Sequence, residues 1–163
     1  MAQVAALADG AQELRVNGDF ERNTGLAEWR WFGGSLSRAA APAPYPGWSA
    51  LFSTSKGYSR TVWQQVQVAP HQSYTFTGYV VKNDPAITSV MLQISWRDQE
   101  NVEIVRLDSA PLTGNDNSYH LLTRSGDADS RAVSARVTVL VTVDDSTKPA
   151  IVYLDNMSFT GPL

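Results

Sequence analysis

The chain has 163 residues, 43% of them hydrophobic, and a formal net charge of −3 from 13 Lys and Arg against 16 Asp and Glu. That is the length of one domain, which at roughly 150 residues buries about 68–70% of its unfolded surface and folds without a covalent staple. The weak acidity argues against a nucleic-acid partner, which needs clustered Lys and Arg; the absence of cysteine removes disulfides, thiolate metal sites and thiol nucleophiles; and no apolar run suits membrane insertion or a secretion signal.

Residues 1–12 are Ala-rich and aperiodic, which predicts a flexible N-terminal arm ahead of a single domain at 13–163. Short strands are expected at 13–16 and 29–36. The stretch Ala41-Pro42-Ala43-Pro44-Tyr45-Pro46-Gly47-Trp48 carries three prolines, which remove ladder donors, so it reads as a surface loop offering Tyr45 and Trp48 as contact candidates. Strands follow at 50–54, at 64–68 before the Ala69-Pro70 turn, and at 74–81. In Val90-Met91-Leu92-Gln93-Ile94-Ser95-Trp96-Arg97 the alternation puts Val90, Leu92, Ile94 and Trp96 on a core face and Met91, Gln93, Ser95 and Arg97 on the other. After strands at 102–107 and 119–123, the run 135–143 repeats the scheme, with Val137, Val139, Val141 and Val143 inward and Arg136, Thr138, Leu140 and Thr142 outward. A last strand is expected at 151–159. With no amphipathic helix and roughly nine or ten short strands, the fold class is all-β, a two-sheet antiparallel sandwich of jelly-roll topology.

Catalytic constellations are not evident. His71 sits in a turn and His120 in an alternating strand, with no nucleophile-and-base spacing around either. Asp144-Asp145 and Asp127-Ala128-Asp129 fall in loop segments, where acids favour turn geometry, and nothing makes either pair flank a substrate. The chain reads as a non-enzyme.

Several segments, in order, resemble a known group. Val16-Asn17-Gly18-Asp19-Phe20-Glu21, then Gly25-Leu26 and Trp29, resembles the opening of the carbohydrate-binding modules of families four, nine, sixteen and twenty-two. Gly47-Trp48-Ser49-Ala50-Leu51 is similar to their small-residue turn into a strand, residues 64–70 to a glutamine-led strand before a proline turn, and residues 74–82 to the aromatic-rich strand that follows. Tyr119 stands where that group usually has Trp. Val152-Tyr153-Leu154-Asp155-Asn156-Met157-Ser158-Phe159 is similar to the closing strand, so the resemblance spans about residues 14–160.

The resemblance implies a non-catalytic module that holds a polysaccharide or oligosaccharide on its concave sheet. Sugar rings stack their C–H faces on aromatics, and their hydroxyls take amides and guanidinium groups. Trp63 and Tyr79 are the expected platforms, with Gln93, Arg97 and Arg136 as polar partners; Trp29, Trp31 and Trp96 are expected in the core. It also implies a structural Ca2+ at one sandwich edge, with Glu21 and Asp155 as carboxylates and Asp19 offering its carbonyl. Against calcium stands a reading in which Asp19 and Glu21 cap a turn and Asp155 accepts backbone hydrogen bonds. The alternative function is a structural or adhesion domain at a virion or cell surface, using its loops and arm for self-association or attachment to a host assembly. On either function the chain is expected to be a module of a larger secreted protein or a protein that leaves the cell inside a particle such as a virion, and so to be extracellular or at a virion or cell surface.

Overall fold

The computed structural model describes residues 11–14, 17–22, 26–55, 60–144 and 148–162, and all of their regular structure is β-strand. In chain order the strands are β1 (Gln12–Glu13), β2 (Arg30–Phe32), β3 (Gly34–Ala40), β4 (Trp48–Thr54), β5 (Arg60–Gln67), β6 (Ser73–Val81), β7 (Ile87–Arg97), β8 (Glu103–Asp108), β9 (His120–Asp127), β10 (Ser134–Val143) and β11 (Ile151–Gly161). They form two antiparallel sheets. One runs β3-β4-β11-β6-β9 with β1 also on β11, and the other runs β2-β5-β10-β7-β8. Past β4 the chain passes repeatedly between the sheets, so neighbours in space are distant in sequence, as the expected sandwich requires.

Alternation built the core as anticipated. Val90, Leu92, Ile94 and Trp96 of β7 and Val137, Val139 and Val141 of β10 are buried against Phe52, Phe76, Val80, Val152, Leu154 and Phe159 of the facing sheet. Each such side chain contributes about 1.5–3 kcal/mol by leaving water. Tyr74 stacks on Phe159 at 5.4 Å between ring centres and lies 5.7 Å from Trp96, joining the two sheets.

Several boundaries differ from expectation, and three of the differences bear on the site or the frame. The span 29–36 is not one strand: Gly33, at φ 75°, turns the chain so that β2 enters one sheet and β3 the other. β5 begins at Arg60 rather than 64, because its early residues pair with both β2 and β10, which puts Trp63 in mid-strand. Gln12, assigned to the arm, is already paired with Gly161; residues 1–10 of the arm, and 15–16 of the first predicted strand, lie outside the described residues.

The two ends of the domain meet on β11. Its first half pairs with β4, its last residues pair with β1, and between them the register shifts across Asp155–Ser158. There Asn156 takes φ 45° and Met157 N–H donates to the Gly18 carbonyl (2.8 Å), so Asn17-Gly18-Asp19-Phe20-Glu21 crosses β11 beside Asp155.

Candidate functional site

The outward face of the β2-β5-β10-β7-β8 sheet gathers the polar and aromatic side chains that alternation excludes from the core. One cross-strand row reads Arg30, Trp63, Thr138, Gln93 and Asp108; the next reads Gln65, Arg136, Ser95 and Arg106; Ser134, Arg97 and Glu103 lie in the third. Trp63, Arg136 and Arg97 are therefore diagonal neighbours, a geometry that spaces residues by about 7–8 Å. The Arg136 guanidinium lies over the Trp63 ring, 4.1 Å from its centre. Gln65 accepts a 3.3 Å hydrogen bond from Arg136, and Arg97 donates to the Asn101 carbonyl at 2.6 Å. Beneath these long side chains Gln93, Ser95 and Thr138 are buried although they point away from the core. Gln93 donates to Asp108 (3.0 Å) and Ser95 to Glu103 (2.6 Å), so both acids of β8 are engaged.

The fold thus brings Trp63, Gln93, Arg97 and Arg136 onto one face. It does not bring Tyr79, which lies in β6 of the other sheet, paired with Leu121 and Asp155 and exposed on the opposite side of the sandwich. The chain changes sheets between β5 and β6, and strand alternation cannot report that. Trp31 is a second correction: Trp29 and Trp96 are buried, but Trp31 sits on edge strand β2 and is 43% exposed. With Leu26, Trp29, Arg30, Leu36 and Arg38 it lines a pocket of about 510 Å³ that adjoins the Trp63 face at Arg30. Arg30, Arg106, Glu103 and Asp108 were missed as members of the face; alternation groups Arg106 with Asp108 but puts Glu103 opposite them, and only the register shift between Trp96 and Arg97 returns Glu103 to their side.

The Pro-rich segment is a loop, with Trp48 opening β4 at its end. It packs on its own sheet. Tyr45 meets Tyr119 edge-on at 4.6 Å and accepts its N–H at 3.3 Å, while Arg38 lies 3.8 Å from the centre of the Trp48 ring. Tyr119, half-buried against Ser49, is pushed up to about 12 by burial.

Near this loop is the carboxylate cluster. Asp155 is half-buried, and burial first, then the charges of Glu21 and Asp19, raise its carboxyl to about 6 although the Asn156 N–H, donating at 2.7 Å, opposes the shift. Glu21 Oε1 accepts the Trp48 N–H (3.0 Å), and Arg38 donates to the carbonyls of Phe20 (2.7 Å) and Glu21 (3.0 Å). Carboxylates and carbonyls are the donors a hard cation takes, and mutual repulsion of this kind is what a cation relieves, so the donor chemistry fits calcium. As the side chains stand, no three Asp, Glu or His groups among the described residues converge on one point.

His120 pairs with Asp116 (2.8 Å), whereas His71 stands exposed in a turn at φ 60°, its backbone N–H donating to the Ala128 carbonyl. Asp127 takes the Ser73 hydroxyl, and Asp129 the N–H of Arg131.

No family model matches the sequence, and no curated protein matches it significantly. Solved structures do match. The enzymatically active domain of tailspike protein 4 of bacteriophage CBA120 superposes with TM-score 0.67 at 12% identity over 90% of this chain, which spans only 21% of the tailspike chain. The CBM22-1 xylan-binding domain of Paenibacillus barcinonensis Xyn10C gives 0.67 at 16% identity, covering 88% of this chain and 91% of that domain. TmCBM61, in complex with β-1,4-galactotriose, gives 0.61 at 14% identity, covering 91% and 97%. The chain shares the fold of these carbohydrate-binding modules over 88–91% of its length, as its sequence resemblance implied.

Proposed function

We propose that this domain binds a polymeric glycan without breaking it, on the outward face of the β2-β5-β10-β7-β8 sheet. The observation that carries this is the convergence of Trp63, Arg136, Arg97 and Gln93 on one face: an aromatic surface for a sugar ring flanked by forked donors for its hydroxyls. Two modules of the same fold are described as binding xylan and β-1,4-galactotriose, which supports this chemistry over assembly alone. Tyr45 and Trp48 are left as contacts of a separate loop, and Tyr79 as a residue of the opposite face. Such polymers are met outside the cell or at a virion or cell surface, which is where we place the protein.

Affinity electrophoresis through gels containing xylan, galactan or mannan tests the reading. At least one polymer retards the protein, and Trp63→Ala abolishes the retardation while far-UV circular dichroism stays unchanged. Full mobility in every gel refutes it. We further propose that Asp19, Glu21 and Asp155 hold a structural calcium, which would offset their repulsion and brace the β11 junction. A melting temperature that is higher in calcium than in EGTA supports this, and identical melting in both refutes it.

A further inference from the structure

The strip that carries the proposed site holds more positive charge than neutral sugar hydroxyls require. Among the described residues of its five strands, Arg30, Arg97, Arg106 and Arg136 share the outward face with Glu103 and Asp108 as the acids. Both acids have other partners: Glu103 takes the Ser95 hydroxyl, and Asp108 takes Gln93 and lies 3.7 Å from Arg106. Arg136 and Arg97, diagonal neighbours across β10 and β7, remain without a salt bridge among the described residues. The Nε atoms of both are shielded from solvent and have no hydrogen-bond partner in the protein. Burial, and after it the Arg97 charge, lower the pKa of Arg136, while Glu103 acts in the opposite sense.

Two adjacent guanidiniums that repel one another, offset only in part by Glu103 across the strand from Arg97, form a site of net positive charge beside an aromatic ring. A guanidinium presents its donors as a planar fork that matches a carboxylate in two parallel hydrogen bonds. The whole chain carries a net charge of −3, so attraction of an anion to this face must be local to the strip. We propose that the glycan is an acidic one, with a uronic acid carboxylate seated between Arg97 and Arg136 and a neighbouring sugar ring stacked on Trp63. The inference rests on the glycan-binding reading and deepens it: the aromatic supplies affinity for a ring, and the arginine pair selects rings that bear a carboxylate.

The test compares glucuronoxylan and polygalacturonate with the same polymers after chemical reduction of their carboxyl groups, by affinity electrophoresis at low ionic strength. A charge-assisted pair predicts retardation constants about tenfold or more stronger for the acidic forms, a preference that fades as added salt screens the pair. Arg136→Gln brings the acidic-to-reduced ratio close to one. Because Arg97 also holds the 98–101 turn through the Asn101 carbonyl, Arg97→Lys is used beside it: the charge remains, the fork is lost, and the ratio falls. Equal retardation by acidic and reduced polymers overturns the uronate proposal while leaving glycan binding intact. Retardation by sulfated carrageenan as strong as by the uronates marks a general anion surface and overturns it as well. No retardation by any polymer, acidic or reduced, overturns the glycan reading itself.

Discussion

If the outward face is a preorganised platform, Trp63 and Arg136 must be coupled before any ligand arrives. The guanidinium lies 4.1 Å from the ring centre, and both side chains are only partly exposed, so their interaction is worth about 0.5–1 kcal/mol at the exposed end of the cation–π range. Trp63→Ala, Arg136→Gln and the double variant close a cycle that isolates this energy. Trp63→Ala also loses packing over Thr138 and Arg30, its row neighbours, and costs about 1–2 kcal/mol in all. Urea unfolding followed by far-UV circular dichroism reads each stability. The double variant should lose about 0.5–1 kcal/mol less than the sum of the two single losses, and in affinity gels Trp63→Ala should migrate unretarded by any glycan. Stability losses that add to within about 0.3 kcal/mol would show that ring and guanidinium do not meet in solution, and the argument for a prebuilt platform would fail.

Other perturbations probe the frame. Asp155 titrates near 6 in the fold against an ordinary 3.8, so between about pH 4 and 6 the folded state holds a proton the unfolded chain releases, and stability falls as pH rises through that window. The undiscounted cost at pH 7.5 is about 3 kcal/mol, and partial exposure reduces it to about 1–2. With EGTA present, Asp155→Asn should therefore raise the melting temperature by about 2–8 °C at pH 7.5 and leave it unchanged at pH 4; a loss at pH 7.5 refutes the electrostatic account. Gly47 stands at φ 90°, and a Cβ there would lie 2.6 Å from Glu21 Oε1. Gly47→Ala should cost about 1–3 kcal/mol, seen as a lower urea midpoint with an unchanged slope. The buried Tyr74 hydroxyl accepts the Ala69 N–H (2.7 Å) and donates to the Pro162 carbonyl (2.9 Å). Tyr74→Phe orphans both and should cost about 1–3 kcal/mol, with faster amide exchange at Ala69; unchanged exchange would show that the hydroxyl does not hold that turn.

Strand existence and core membership were legible residue by residue, because period-two alternation is a local property: Val90, Leu92, Ile94 and Trp96 had to share a face whatever they packed against. The fold class followed from the number of such strands and the absence of helices. The same rule put Gln93 with Arg97, and Arg136 with Thr138, on the faces opposite the core. Alternation within one strand does not say which strands are neighbours, though, and the resemblance to sugar-binding modules supplied Trp63 and Tyr79 as equals. Only the tertiary pairing showed that β5, β10 and β7 lie side by side while β6 crosses to the other sheet, which joined Trp63 to the arginines and removed Tyr79. Gly33 has the same lesson for Trp31, since a single residue at positive φ turned a predicted core strand into an exposed edge. What the sequence determined by itself was each strand and its two faces, set by backbone geometry and hydrophobicity. The tertiary structure decided which faces adjoin, and so where two unpaired arginines and a tryptophan meet, because that depends on hydrogen bonds between segments far apart in the chain.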